Sequence, residues 1–277
     1  MIRLVCFDMD GTLLDTDKKI PRQVLRALHR IQEHGTLVTL ASGRLISSLR
    51  EYAELIGTKA PLIALNGAWV EQSKGDKPML CWPLVIDSVC EIIESAEKNG
   101  LHISLYLSNG VIIRRSEATW EQFHWELEKI RAQMVNEWPS PLGAGNQIGE
   151  QRLMKVLVSG EPGLVAAFQA EQESKFGEQY NFVLSGDPYL EIVNKNATKG
   201  AALKAVAEHL RIPRECIMAM GDHYNDLSML EFAGFGVAMG NAPKIVQKKA
   251  NWVTKRNTEM GVATALAHFF GEWVVNE

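Results

Sequence analysis

Short apolar runs alternate with amphipathic helical segments at both ends of the sequence, and this alternation limits the fold more than any other feature. The runs cover residues 3–7, 36–42, 61–67, 216–222, 236–239 and 251–254. Between the first two runs, Val24, Leu28 and Ile31 recur at helical spacing, with Pro21 in the first turn and Gly35 at the end. Continuous apolar strands separated by helices predict an α/β fold with a parallel sheet that helices cover on both faces.

The middle of the chain has a different pattern. Residues 102–115 read as two strands joined by an Asn-Gly turn, and residues 180–193 read as a second strand pair with Gly-Asp-Pro at its turn. Between these pairs we expect a helix, a strand and a second helix, at about residues 117–133, 152–160 and 163–176. Hairpins among helices predict an α+β unit that is inserted into the parallel-sheet domain.

The two patterns divide the chain into two domains. We place the inserted unit at residues 83–188 and the parallel-sheet domain at residues 1–82 and 189–277. A chain of 277 residues is long enough for two modest domains, and an apolar content of 46% supplies a sizeable core.

Composition and charge exclude several classes of partner. The net charge of −4 gives no electrostatic reason to expect nucleic acid or an anionic membrane surface. No apolar run reaches the roughly 18 residues that span a bilayer, and the first residues do not resemble a secretory signal. The four cysteines show no CxxC spacing, which favours reduced thiols over a disulfide or zinc framework. We therefore expect a cytoplasmic protein, either a monomer or a homodimer.

Polar residues follow four of the apolar runs at the point where each run ends. Asp8 directly follows the first run, Ser42 ends the second and is followed by Gly43, Asn66 lies at the end of the third, and Asp222 ends the fourth. Ligands of open parallel sheets bind beyond the carboxyl ends of the strands. The sequence therefore predicts one functional site at one edge of the sheet.

Asp8 and Asp10 are two residues apart, so two free carboxylates at these positions would be electrostatically unfavourable. Like charges at this spacing repel unless a cation or a proton lies between them, and Mg²⁺ prefers oxygen ligands of this kind. The alternative is a solvated loop in which Asp10 and Gly11 form a tight turn.

Asp222, Asp226 and Lys199 form a second group of candidates. Asp222 closes an apolar run, and Asp226 follows four residues later near the start of a predicted helix, where an aspartate is commonly a cap. Lys199 begins another predicted helix, where its charge opposes the helix dipole. It is either a surface lysine or a cation directed at an anionic site.

The segment after the second run, Ser42-Gly43-Arg44, has the composition of a phosphate-binding turn. A serine hydroxyl and nearby backbone N–H groups can donate to phosphate oxygens. Ser42 could instead cap the next helix, Arg44 could be a surface arginine, and Asn66 could be a turn residue.

In chain order, the segments DMDGTLLD, ASGR, TKG and GDHYND resemble the four motifs of the haloacid dehalogenase superfamily of phosphatases. The similarity covers almost the whole chain, and it is closest to the Cof-type branch, whose cap is inserted between the second and third motifs. It implies a Rossmann-like core with an inserted α/β cap. His223 departs from the fourth motif, which more often has a small residue there.

The resemblance also implies roles for individual residues. Asp8 would be the nucleophile that forms an aspartyl-phosphate, and Asp10 the general acid and then the base. Mg²⁺ would be bound by Asp8, Asp222 and the backbone carbonyl of Asp10. Lys199 would hold the transferring phosphoryl group, and Asp226 would orient Lys199 or complete the outer metal shell.

Further positions of the phosphate and substrate site are implied at Ser42, Gly43, Arg44, Asn66 and Asn225. Nearby acidic charge is expected to help Asp10 keep the proton that it needs in the first step. The substrates would be small phosphorylated metabolites, such as sugar phosphates or the phosphorylated cofactors FMN and pyridoxal phosphate. Within the insert, Trp120, Trp125, His102, His124 and Arg114 do not identify a substrate, and packing is the simpler interpretation of the Trp pair.

Three other functions fit parts of the pattern. A phospho-accepting signalling domain also uses acidic strand ends, Mg²⁺ and a lysine, but it is about half as long and has no insert. A phosphomutase would return the phosphoryl group to a sugar. A non-catalytic metal-binding relative would lack some of the polar positions that are filled here.

Overall fold

The computed structural model describes residues 1–75, 77–138, 147–148, 151–186 and 188–276. Within them, the strands are β1 (Leu4–Phe7), β2 (Leu37–Leu40), β3 (Leu62–Ala64), β4 (Trp69–Glu71), β5 (Pro78–Cys81), β6 (His102–Leu107), β7 (Gly110–Arg114), β8 (Gln133–Val135), β9 (Gln147–Ile148), β10 (Gln151–Ser159), β11 (Tyr180–Gly186), β12 (Tyr189–Asn194), β13 (Ile217–Gly221), β14 (Phe235–Ala238) and β15 (Trp252–Val253). The helices are α1 (Arg22–Glu33), α2 (Ile46–Ile56), α3 (Ile86–Lys98), α4 (Glu121–Glu128), α5 (Pro162–Phe176), α6 (Lys199–Leu210), α7 (Leu227–Phe232), α8 (Lys244–Lys249) and α9 (Gly261–Phe270).

The first sheet has the strand order β15-β14-β13-β1-β2, and all of its pairs are parallel. Strand β1 is entirely buried because both of its edges are paired and both of its faces are covered. This explains why its sequence is continuously apolar rather than alternating. The parallel α/β core that the alternation predicted is confirmed, and β1 lies beside β13, which brings Asp8 near Asp222.

Residues 61–67 differ from the expectation of a further parallel strand. Strand β3 meets the first sheet through a single parallel bridge between Ala41 and Ile63, and it pairs antiparallel with β4 in a small sheet of β3, β4 and β5. Pairing partners decide this arrangement, and the composition of an apolar run does not show them.

The second sheet contains β11-β12-β10-β6-β7-β8 in that order, and β9 pairs with β10. Its pairs are antiparallel except for the pair of β7 with β8. Alternate residues face opposite sides, so Tyr106, Leu157 and Val193 join the core cluster of the first sheet, whereas Leu105 and Val156 join a second cluster beneath α3 and α5.

The sequence pattern placed the end of the insert at residue 188, but the second sheet continues beyond it. Strand β12 pairs with both β10 and β11, and it ends at Asn194. Residues 189–194 are the second strand of the pair that the sequence predicts at residues 180–193, so the boundary at residue 188 divided that pair. The two chain connections of the second sheet lie side by side, because Asn194 Nδ2 donates to the carbonyl of Pro83 at 2.9 Å.

The expected helix at residues 117–133 is also shorter in the structure. A 3₁₀ segment (Arg115–Trp120) leads into α4, which ends at Glu128, and β8 follows. The turn at residue 187 that the sequence predicted lies outside the described residues. Among the described residues, every helix is too short or too polar to cross a lipid bilayer.

Candidate active site

The chain leaves β1 through a tight loop that brings Asp8 and Asp10 to the carboxyl edge of the first sheet. Gly11 in this loop has φ of +82°, and a Cβ there would lie 2.4 Å from Asp222 Oδ2. Only glycine fits both the left-handed conformation and this close approach. The loop therefore fixes Asp8 against the Asp222 segment.

Asp222 follows β13, and its carboxylate is held from two sides. Thr12 Oγ1 donates to Oδ1 at 3.1 Å, and Asn241 Nδ2 donates to Oδ2 at 3.0 Å. Burial and the neighbouring charge of Asp226 raise the pKa of Asp222 to about 7. A positive charge bound beside Asp222 would lower that pKa and stabilise the carboxylate.

Lys199 connects the first and last acidic segments. Lys199 is the first residue of α6, directly after the capping residue Thr198, and it is 1% exposed. Its Nζ lies 2.6 Å from both Asp8 Oδ1 and Asp226 Oδ1. Burial opposes the charge of Lys199, but the carboxylates of Asp226 and Asp8 outweigh this and raise its pKa. The lysine is therefore a permanent buried cation at the centre of the site.

For Asp8, the effects that disfavour the charged form outweigh those that favour it. Burial and the charges of Asp226 and Asp222 raise the pKa of Asp8, against the lowering effect of Lys199. One lysine does not compensate three buried or half-buried carboxylates, so the site retains an excess of negative charge.

The acidic group fits a divalent cation. One oxygen each of Asp8, Asp222 and Asp226 lies within 4.8 Å of the others. Both oxygens of Asp226 are engaged, Oδ1 by Lys199 and Oδ2 by the backbone N–H groups of Asp222 and His223. Asp8 and Asp222 also line the cavity described below, whereas Asp226 is fully buried and does not, so Asp8 and Asp222 are the carboxylates better placed to coordinate a metal. Asp226 positions the lysine and the loop.

Asp10 does not have the environment that the sequence suggested. We expected nearby acidic charge to help it keep a proton, but its carboxylate accepts hydrogen bonds from Arg44 and from Lys18. Burial would raise the pKa of Asp10, yet Arg44 and Lys18 outweigh it and lower the pKa below its ordinary value. Asp10 is therefore ionised in this conformation.

The Ser42–Arg44 loop and Asn66 meet at the same edge. The backbone N–H of Asn66 donates to the carbonyl of Ser42 at 2.9 Å, and Arg44 N–H donates to Ser42 Oγ at 3.2 Å. Asn225 Nδ2 donates to Asn66 Oδ1 at 3.1 Å. The structure thus brings together every candidate residue that the sequence named.

A cavity of about 640 Å³ lies between the two sheets above this group. Its floor includes Asp8, Asp10, Ser42, Asp222 and Asn225. The second sheet and the segments that connect its strands contribute aromatic and aliphatic side chains to its roof (Tyr106, Phe123, Leu127, Leu157 and Tyr189) together with the polar side chains of Glu126, Lys129, Ser185 and Glu191. The geometry suits a molecule with an anionic group below and a body above that has both apolar surface and polar groups.

The structure also shows site residues that the sequence pattern did not identify. Lys155, Glu191, Glu128, Lys18 and Asn241 all contact predicted site residues or the segments beside them. Lys155 and Glu191 carried a signal, because each is a charged residue inside an otherwise apolar strand. Such a residue is usually paired, and its partner indicates where the strand lies.

Trp120, His102 and His124 pack within the insert. Trp120 stacks on His102 with ring centroids 3.9 Å apart. The two ring nitrogens of His124 form hydrogen bonds with the hydroxyl groups of Ser104 and Tyr106. Trp125 is exposed. His223, by contrast, lines the cavity, and its Nδ1 lies 3.0 Å from the carbonyl of Leu184.

Comparisons with known proteins agree with this arrangement. The family model of haloacid dehalogenase-like hydrolases matches residues 5–266. YitU of Bacillus subtilis, named as a 5-amino-6-(5-phospho-D-ribitylamino)uracil phosphatase, is 29% identical over 274 residues, which cover 96% of this chain and 97% of YitU. An HMP-PP phosphatase of Yersinia pestis is 29% identical over 277 residues, which cover 97% of this chain and 96% of that protein.

A solved structure extends the similarity to three dimensions. The crystal structure of a haloacid dehalogenase-like hydrolase from Bacteroides thetaiotaomicron has a TM-score of 0.84 and 30% identity, and the match covers 98% of this chain and 100% of that one. The family that the four motifs predicted is thereby confirmed. This chain belongs to the haloacid dehalogenase-like hydrolases and is a phosphatase of their Cof-type branch.

Proposed function

We propose that this enzyme is a Mg²⁺-dependent phosphatase that hydrolyses small phosphorylated metabolites through an aspartyl-phosphate on Asp8. The observation that carries the proposal is the position of Lys199, whose Nζ lies 2.6 Å from both Asp8 and Asp226 in a buried acidic cluster. A fixed cation beside a buried carboxylate is what nucleophilic attack on a phosphate dianion requires, because it offsets the repulsion between the two anions.

The first step transfers the phosphoryl group to the enzyme. An oxygen of Asp8 forms a bond to phosphorus while the bond from phosphorus to the leaving oxygen breaks, and Asp10 donates a proton to that oxygen. In the second step Asp10 removes a proton from water, the water oxygen attacks phosphorus, and the bond to Asp8 breaks to release inorganic phosphate. Ser42, Asn225 and Lys199 hold the phosphoryl oxygens during both steps.

Asp10 must gain a proton before it can act as an acid. Its two oxygens accept from Arg44 and Lys18, which hold it ionised. An incoming phosphate dianion attracts both cations and adds negative charge beside Asp10, and each of these effects raises the pKa of Asp10. Substrate binding is thus the event that prepares the general acid.

We assign Mg²⁺ binding to the carboxylates of Asp8 and Asp222 and to the backbone carbonyl of Asp10. When bound, Mg²⁺ supplies charge neutralisation for the phosphoryl group. The assignment of the two carboxylates is supported by their closeness, with one oxygen of each within 4.8 Å of the other, and by the raised pKa of Asp222, which a divalent cation would reverse. Asp226 remains in a supporting role because it is fully buried and does not line the cavity.

The substrate class follows from the cavity and the relatives. A volume of about 640 Å³ accommodates a metabolite of modest size, and the aromatic and polar side chains of the roof suit a leaving group with a flat face and polar substituents. The YitU relative is named for a phosphate ester that carries a uracil ring. We therefore extend the proposal to sugar phosphates and to phosphorylated cofactors such as FMN and pyridoxal phosphate, with the segment between residues 83 and 194 acting as a cap that selects among them.

The expected setting is the cytoplasm, where such metabolites occur, and the enzyme is expected to act as a monomer or homodimer. Neither nucleic acid nor a membrane is expected as a partner, in line with the net charge of −4.

The test is a comparison of Asp8→Asn with Asp15→Asn. Asp15 serves as the matched control because, among the residues that the structure describes, its carboxylate accepts hydrogen bonds from the backbone N–H groups of Asp17 and Lys19 in the same loop and from no catalytic candidate. With p-nitrophenyl phosphate and Mg²⁺, Asp8→Asn is expected to lose at least about a thousandfold in kcat, and Asp15→Asn to retain wild-type turnover. Wild-type turnover by Asp8→Asn would refute the nucleophile assignment.

Two further readouts separate the competing functions. Stable phosphate labelling without turnover would indicate a signalling domain, and transfer of the label to an added sugar phosphate rather than to water would indicate a phosphomutase. A screen of phosphorylated metabolites against the wild-type enzyme then identifies the leaving group.

A further inference from the structure

Lys155 is a buried lysine in the middle of β10, and its side chain is 1% exposed. Its Nζ donates to the carbonyl of Gly43 at 2.7 Å and to Glu191 Oε1 at 3.0 Å. The same atom lies 3.9 Å from the ring centroid of Tyr106, which is its direct cross-strand neighbour on β6. A buried ammonium is costly unless it is paired, and these contacts fix its position as well as compensating its charge.

Glu191 extends the network toward the catalytic loops. Its second oxygen accepts a hydrogen bond from Asn66 Nδ2, and Asn66 Oδ1 accepts one from Asn225. Asn225 directly precedes Asp226, the partner of Lys199. A continuous line of hydrogen bonds therefore joins Lys155 of the second sheet to both the Ser42–Arg44 loop and the Asp222–Asp226 segment.

We propose that Lys155 and Glu191 are positioning residues for the phosphate-binding groups of this enzyme, and this inference rests on the phosphatase function proposed above. Within the described part of the chain, Gly43, Glu191 and Asn225 line the cavity but Lys155 does not. Lys155 therefore acts through its neighbours and does not touch the substrate.

The effect of Lys155 on Ser42 passes through one peptide group. A trans peptide is planar, so its carbonyl and its N–H point in opposite directions. Lys155 holds the Gly43 carbonyl, and the N–H of the same peptide, which belongs to Arg44, donates to Ser42 Oγ at 3.2 Å. With its oxygen accepting that bond, the Ser42 hydroxyl retains its own proton to donate to a phosphoryl oxygen.

Lys155 also controls the charge of the cavity wall. Glu191 lines a cavity that must admit a phosphate anion, and an unpaired carboxylate there would repel it. Lys155 and Asn66 engage its two oxygens, so the anion is compensated before the substrate arrives. Positioning and compensation both predict weaker phosphate binding when Lys155 is removed.

The experiment compares Lys155→Met with the double variant Lys155→Met/Glu191→Gln. The single variant leaves a buried carboxylate without its cation, whereas the double variant removes both charges. The measurements are the melting temperature, kcat/KM for p-nitrophenyl phosphate, and the affinity for inorganic phosphate in the presence of Mg²⁺ by titration calorimetry.

We expect Lys155→Met to weaken phosphate binding and to lower kcat/KM by about 10- to 100-fold each, the effect of one lost hydrogen bond to a charged group. The double variant is expected to regain the wild-type melting temperature while its phosphate affinity stays low, because nothing then holds the Gly43 carbonyl. The exposed pair Lys175–Glu171 on α5, substituted in the same two ways, serves as the control and is expected to change none of the three values.

A double variant that regained wild-type phosphate affinity together with its melting temperature would overturn the positioning inference, since Lys155 would then act only by neutralising the charge of Glu191. Wild-type phosphate affinity in Lys155→Met would do the same. Phosphate affinity is measured without turnover, so a wild-type protein that failed to hydrolyse any phosphate ester would refute the proposed function and still leave the positioning inference open to this test.

Discussion

Arg44 binds both carboxylate oxygens of Asp10, with Nε 2.7 Å from Oδ2 and Nη2 2.6 Å from Oδ1. The same guanidinium donates through Nη1 to the carbonyl of Leu127, near the end of α4, at 2.9 Å. Glu128, the residue after Leu127, accepts a hydrogen bond from the backbone N–H of Leu45, which directly precedes α2. One arginine thus connects the Asp10 loop with the insert, so the state of Asp10 depends on how the insert is docked.

The first prediction concerns this ion pair. In Arg44→Met, Asp10 loses its main cation, and we expect the pKa of its carboxyl to rise. A carboxyl whose pKa is lowered on folding stabilises the protein above its unfolded pKa, and this contribution disappears as the pH falls through the lowered value. Arg44→Met should therefore be less stable than wild type at pH 7 by about 2 kcal/mol, and the difference should shrink below about pH 4.

Urea denaturation across this pH range measures the difference, and carboxyl NMR of Asp10 measures its pKa. Arg22→Met, which removes an exposed arginine at the start of α1, is the control. A stability difference that stayed constant from pH 7 to pH 3.5 would contradict the assignment of the effect to Asp10.

The second prediction uses two glycines in the same backbone conformation. Gly11 and Gly57 have φ of +82° and +74°, but a Cβ on Gly11 would meet Asp222, whereas nothing lies within 4 Å of one on Gly57. Both alanine variants should lose about 1 kcal/mol of stability from backbone strain. Only Gly11→Ala should also lose activity, by about a hundredfold or more, because it displaces Asp222. Equal activities of the two variants would show that the close approach has no catalytic importance.

The third prediction concerns Mg²⁺ and pH. The pKa of Asp222 is raised to about 7, so protons compete with the metal below that pH. Calorimetric Mg²⁺ affinity should fall by at least about tenfold for each pH unit below 7, because the pKa of Asp8 is raised as well. Removal of the metal by EDTA should abolish turnover, and added Mg²⁺ should restore it. In Asp222→Asn both the affinity and its pH dependence should be lost, whereas an affinity that did not change between pH 5.5 and 8 would exclude Asp222 as a ligand.

The fourth prediction concerns stability in acid. Burial, with the charges of His102 and Lys155, lowers the pKa of His124 to about 3. Between pH 6.5 and 3 the unfolded chain binds a proton that the folded chain does not, so His124 makes the free energy of unfolding fall by about 1.4 kcal/mol per pH unit on acidification. His124→Gln should show a shallower loss of stability, and exposed His29→Gln should follow the wild-type curve. Identical pH slopes for wild type and His124→Gln would contradict the prediction.

The edge of the sheet that carries the candidate site was predictable, because the carboxyl ends of parallel strands lie on the same side of a sheet. Asp8, Ser42 and Asp222 are separated widely in sequence, yet each follows an apolar run, and the register of β1 with β2 and β13 makes them neighbours. Lys199 was less certain from its own position, since a lysine at a helix start is usually solvated. Only the order of the four motif segments along the chain indicated a phosphate-binding role for Lys199.

Pairings across the two sheets could not be read from the sequence. The partner of Lys155 lies on β12 and its acceptor lies in the Ser42–Arg44 loop, and no periodicity connects these three segments. For the same reason the low pKa of Asp10 was not foreseen, because Arg44 was as consistent with a surface position. Long-range electrostatics depends on distances that only the folded chain defines.

The hydrogen bond between Asn194 and Pro83 has a consequence for how this enzyme can diversify. The segment between these two residues leaves the first domain and returns to it at the same place. The rest of the chain therefore closes the same short distance whichever segment is inserted there. An exchange of that segment for one of another length or shape leaves the strand register around Asp8 and Asp222 untouched. Evolution, or an engineer, can therefore exchange the recognition module, provided that the new one keeps the contacts that Leu127, Lys155 and Glu191 make with the Ser42–Arg44 loop and Asn66.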